Sequence, residues 1–144
     1  MNHKIIRILL SLLTGFVALT AIGGGVALLV GVEGNRFPLE WLRGTPFGTY
    51  TVPALILAGV VGGSALVACI TLFTRPSFGW RAALVSGILM MGFIAVEVLI
   101  LQQEPPGPTL IEWFYFGLGL VIAALATYHL ILERPNQSRI SPKD

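Results

Sequence analysis

The sequence predicts an all-α membrane protein: a four-helix transmembrane bundle running up-down-up-down, with a short interfacial helix in the first outer loop. Three observations predict it. The 144 residues are 55% hydrophobic and only 11% charged, against about 25% charged in an ordinary soluble domain. The apolar residues gather in blocks instead of alternating with polar ones. Four of these blocks reach the ~20 residues that a helix needs to cross the hydrocarbon. A chain of this size cannot hide so much apolar surface inside its own core. One membrane domain over residues 1–134 follows, with a polar, disordered cytoplasmic tail over 135–144.

The first predicted span is Ile8 to Val32. Lys4 and Arg7 precede it, as in a secretory signal, but its apolar stretch outruns the 7–15 residues of such a segment. It is read as a retained span. The second is Val52 to Phe73, the third Ala82 to Leu101 and the fourth Leu110 to Leu132. Backbone groups in lipid have no water to bond, so each run should be helical. The connections are short apart from the first, which predicts antiparallel neighbours.

Basic residues set the expected orientation. Lys4, Arg7, Arg75, Arg81, Arg134, Arg139 and Lys143 fall on one side, and only Arg36 and Arg43 on the other. Both termini are therefore expected in the cytoplasm. Trp80 suits the inner interface, while Trp41, Tyr50, Trp113 and Tyr115 suit the outer one.

The first connection is the only one with structure of its own. Pro38 fits the first position of a short helix, and Gly44 the position just past its end. Phe37, Leu39, Trp41, Leu42 and Phe47 are too apolar for a loop in water. Phe37, Trp41, Phe47 and Tyr50 form either an interfacial anchor or a lid over a cavity; an anchor is the expectation. Small residues give each span a packing face. Gly59 and Gly63 supply it in the second span, Gly25 in the first and Gly87 in the third. Tight intramolecular packing is expected, with a homodimer through Gly59 and Gly63 as the alternative.

Glu97 is the residue that asks for an explanation. It interrupts an otherwise uncharged span about 7–8 Å below its outer end. A carboxylate at that depth is costly and faces the bundle interior rather than lipid. Ser86, Met90, Phe93 and Leu101 share its face. Glu112 opens the fourth span at a similar depth, and Arg36 and Arg43 lie on the same side. These four define the candidate polar site. A structural ion pair pinning the loop is the expectation; a protonatable site is the alternative.

Other chemistry is excluded or unsupported. Cys69 is the single cysteine, so no intrachain disulfide and no Cys-rich metal site can form. It reads as a packing residue. His3 and His129 stand at unrelated positions and predict no metal or haem site. His129 is expected to hydrogen-bond at headgroup level. No catalytic motif and no cofactor motif occurs. The net charge of +2 is too small and scattered for nucleic acid.

The stretch Pro38-Leu39-Glu40-Trp41-Leu42-x-Gly44-Thr45-Pro46-Phe47-x-x-Tyr50-x-x-Pro53 resembles a recurring signature of small bacterial four-span proteins of unknown function. Trp80 through Glu97 is similar to their third span. The resemblance covers most of the chain except the tail. It implies a bacterial inner-membrane protein and supplies no activity. Span number and loop placement are loosely similar to DoxX-like proteins, in architecture only. Vitamin K epoxide reductase-like proteins are also four-helix bundles, but their cysteine chemistry cannot run on Cys69 alone.

The leading functional expectation is a non-catalytic structural, accessory or partner-binding protein of the bilayer. Its partner would be another membrane protein or a second copy. A small transporter or proton-coupled carrier using Glu97 is the alternative. A third reading is lipid or apolar-ligand binding under the outer loop, in a groove lined by Trp41, Phe47 and Met90.

Overall fold

The computed structural model describes residues 2–32, 36–103 and 106–137. Four helices carry the fold: α1 (His3–Leu29), α2 (Thr51–Thr74), α3 (Pro76–Ile100) and α4 (Leu110–Gln137). All four contain stretches long and apolar enough to cross a membrane. A 3-10 turn, Leu39–Leu42, lies between α1 and α2. The expected all-α bundle is the observed one.

The helix ends differ from the hydrophobic blocks, for local reasons. α1 begins at His3 because the Asn2 side chain accepts from the Lys4 N–H, an N-cap. It ends before Val32 because Gly31 turns left-handed, at φ 76°. The Val32 N–H then donates to the Ala27 carbonyl and the Gly31 N–H to Leu28, which closes the helix with a Schellman motif. α3 starts at Pro76, not near Ala82. A proline suits the first turn, and it disfavours helical backbone at the residue before it, here extended at φ −142°. Arg75 is that residue and forms the entire link from α2. The predicted connection from Thr74 to Arg81 is mostly helix. α4 continues through Gln137, past the expected start of the tail; residues 138–144 lie outside the described ones.

α2 is not a uniform helix. Residues Ile56–Gly62 wind as a π-helix between two α-helical pieces. Each residue turns an α-helix by about 100°, so π-type winding shifts which side chains meet a neighbour. The effect shows in the glycines. A Cβ on Gly62 would sit 2.6 Å from Ile22 Cγ1 of α1. One on Gly25 would sit 2.6 Å from Ala58 Cβ and 2.7 Å from the Ala54 carbonyl oxygen. Gly59 and Gly63 meet nothing within 4 Å. The expected packing face through Gly59 and Gly63 is therefore displaced to Gly62, whereas Gly25 packs as expected.

α3 makes two close approaches at its other faces. At Gly79 the backbone of Leu72 comes within 2.6 Å of where a Cβ would stand, because the one-residue link forces α2 and α3 together. At Gly87 the Gly119 carbonyl oxygen lies 2.7 Å and the Ala123 nitrogen 2.9 Å from that position, which seats α3 on α4. α1 and α4 close the ring, with Phe16 stacked on Tyr115. Cys69 bridges α1 and α2 as a packing residue, its Sγ 3.4 Å from the Ser11 carbonyl oxygen. The core between the helices is built from Ile6, Leu10, Val17, Leu72, Met90 and Ile122 with their alanine neighbours.

Gly87→Ala should weaken the bundle by about 1–3 kcal/mol, because backbone rather than a movable side-chain tip meets the added methyl. Gly59→Ala should leave stability unchanged within about 0.5 kcal/mol. Thermal unfolding in a mild detergent, followed by size-exclusion recovery, ranks the two; equal losses would refute this packing scheme.

Candidate functional site

Glu97 sits on the last turns of α3, about 4.5 Å from the helix end at Ile100. Its face is turned inward as expected: Ser86 and Met90 are fully buried, and Phe93 and Leu101 are half-buried. Glu97 itself is half-buried. It lines a groove of about 490 Å³ between α2 and α3. The loop roofs that groove with Phe37, Leu42, Phe47 and Tyr50. The π-helical stretch supplies Ile56, Val60 and Val61 to its wall. Neither Trp41 nor Met90 lines it, although both were expected to: Met90 points into the closed core.

The groove exists because α2 and α3 pack closely only over part of their length. Their contact is extensive along Gly63–Thr74 and sparse along the π-helical stretch. Gly92, on the groove wall, has nothing within 4 Å of a Cβ position. Val60, Ile88 and Val96 line the groove yet remain about half exposed on the bundle exterior. The groove is thus continuous with the surface that faces lipid.

The loop is folded onto the bundle mouth by specific bonds. The Gln102 N–H donates to the Trp41 carbonyl at 3.0 Å, tying the 3-10 turn to the end of α3. The Tyr50 hydroxyl donates to the Pro38 carbonyl at 3.0 Å. Thr45 closes the turn through its Oγ1 on the Leu42 carbonyl, and Gly44 adopts φ 80° just beyond it. Leu42 is buried beneath, and Phe37 packs edge-on to both Trp41 and Tyr50. Burial, with the Glu97 carboxylate as the lesser cause, pushes the Tyr50 phenol above its ordinary value. The phenol stays neutral and keeps its donor. Its folded value exceeds the unfolded one, so its contribution is complete below about pH 10 and is lost as pH climbs through the folded value.

Among the described residues, no hydrogen bond or ion pair joins Glu97, Glu112 and Arg43. Glu112 serves the start of α4. One carboxylate oxygen accepts from the Thr109 N–H and the other from the Gln103 side-chain amide. The Glu112 N–H faces Thr109 Oγ1 at 3.5 Å. Thr109-Leu110-Ile111-Glu112 is a capping box, which the T-x-x-E spacing alone could have revealed. The expected pin of Glu97 by Arg43 is absent: Arg43 is exposed, and Glu97 has no hydrogen bond or ion pair among the described residues. Arg36 is exposed on the loop. Glu112 remains within electrostatic reach of Glu97.

The opposite end holds a cluster that the sequence concealed. His129 is buried, with the Trp80 ring stacked on it at 3.5 Å and His3 edge-on at 4.9 Å. Trp80 is likewise buried. His129 Nε2 is 3.6 Å from Glu133. Among the described residues, no group of three or more His, Cys, Asp or Glu side chains is placed to hold a metal.

No protein-family model matches the chain, and neither does any curated protein or solved structure. What is established is a small multi-pass membrane protein.

Glu112→Ala should destabilise the protein by about 0.5–2 kcal/mol, since it removes the cap and strands the Gln103 amide. Glu97→Gln should not, because no bond among the described residues depends on that carboxylate. Thermal unfolding of both variants tests this; a larger loss at Glu97 would contradict the assignment. Tyr50→Phe should speed exchange of the Thr45 and Gln102 amides several-fold, for a lost bond worth about 0.5–1.5 kcal/mol. Hydrogen exchange by mass spectrometry reads it, with α4 amides as the unchanged control.

Proposed function

We propose that this protein is a non-catalytic binding protein of the bilayer that holds an apolar or amphipathic molecule in the groove beneath the loop. The observation that carries the reading is the Glu97 carboxylate, without a hydrogen bond or ion pair among the described residues, facing a roofed groove whose other lining is almost wholly apolar. A groove of about 490 Å³ is the size of ordinary small-molecule sites, which combine apolar walls with few polar groups. Its half-exposed Val60, Ile88 and Val96 support entry sideways from lipid. The π-helical stretch on its wall agrees, since such irregularities recur at functional sites. Onward proton-coupled transport is less favoured: among the described residues, only Glu97 and Tyr50 are ionisable and line the groove. The distribution of basic residues supports cytoplasmic termini. The loop signature supports a bacterial inner membrane.

A neutral long-chain alkanol carrying a diazirine tests the reading in lipid nanodiscs. Labelling should concentrate on residues 56–61 and 88–97, and Gly92→Phe should suppress it by filling the groove. Even labelling of all lipid-facing helices, indifferent to that variant, would overturn it.

A further inference from the structure

Resting on that reading, we infer that the groove selects organic cations: amphiphiles whose quaternary or protonated amine lies between the Glu97 carboxylate and the rings of Phe37, Phe47, Tyr50 and Phe93. Three features carry this. The carboxylate has no protein cation bonded to it among the described residues, and a charge removed from water without a partner is costly. Glu112 adds a second negative charge within electrostatic reach, which favours a cation and opposes an anion. Four aromatic side chains line the same groove, three from the loop and Tyr50 region and one from α3. Aromatic faces attract cations, best where water is excluded, and quaternary ammonium groups are bound in such surroundings.

The remaining walls explain the body of the ligand. Ile56, Val60, Ile88 and Val96 offer only hydrocarbon. Glu97 stands near the loop end of α3, with these apolar residues reaching deeper along α2 and α3. The amine would therefore sit beneath the loop and the alkyl chain would run down between the helices. A hydrophilic cation would find no partner for its body, and a neutral lipid would leave the carboxylate unsatisfied.

The test uses the full chain in nanodiscs, with displacement of the neutral diazirine alkanol as readout. Decyltrimethylammonium and decanol are compared at matched concentrations in the bilayer. The cation should displace the label at roughly one-tenth the concentration of decanol, as a charge-assisted contact would allow. In Glu97→Gln the two should become equal to within about twofold, while the neutral label still enters the groove. Phe93→Leu, which keeps the carboxylate, should reduce the cation's advantage without removing it. Equal displacement by both compounds in the unmodified protein, or a preference that survives Glu97→Gln, would overturn the cation inference and leave the groove reading intact. Failure of the label itself to enter the groove would overturn both.

Discussion

Close backbone approach at glycine is the constraint on which this bundle depends. Lipid gives helices little hydrophobic reason to associate, so they hold together by packing where side chains are smallest. Gly87 against Gly119 seats α3 on α4, and Gly25 and Gly62 seat α1 on α2. Gly79 locks α3 to the end of α2 across the single-residue link at Arg75. Those contacts fix the positions of all four helices. They also leave a place where α2 and α3 do not meet.

That place is the groove, and the π-helical stretch helps to make it. Winding Ile56–Gly62 more loosely turns Gly62 toward α1 and leaves Gly59 without a neighbour. Small residues that could have drawn helices together instead border open space, as Gly92 does across the groove. The loop then covers the opening through two main-chain acceptors, Pro38 and Trp41. Phe37, Trp41 and Phe47 are half-buried for that reason, and Phe37 and Phe47 act as roof as much as anchor. Glu97 is tolerated near the helix end because the groove gives its carboxylate somewhere to face other than lipid.

The acids near the loop divide their work. Glu112 is satisfied by the helix start and by Gln103, so it contributes structure and a local negative field. Glu97 has no bonded partner among the described residues, and this asymmetry between two similar residues is what gives the site its chemical character. At the far end, His129 between Trp80 and His3 shows the converse: polar rings used to fill a helix junction.

Much of the architecture was legible in the sequence, because spanning a bilayer imposes a long-range rule that short windows can read. Twenty apolar residues without charge must be a helix, since no other structure satisfies its backbone in hydrocarbon. The number of helices, their antiparallel order, the special character of the first loop and the oddity of Glu97 all follow from that rule. The Thr109–Glu112 capping box was legible too, as a local pattern, but was read instead as part of a charged site. The choice of packing glycine was not legible. Gly59 and Gly63 carry the familiar spacing, and only the unwinding of α2 against α1 selects Gly62. What Glu97 faces was equally hidden, because spacing along α3 states depth but not what lies across the gap. Sequence alone determined that four helices cross the membrane and where a carboxylate sits within them. The tertiary structure decided that the carboxylate faces a roofed groove, because that depends on where neighbouring backbones touch and where they part.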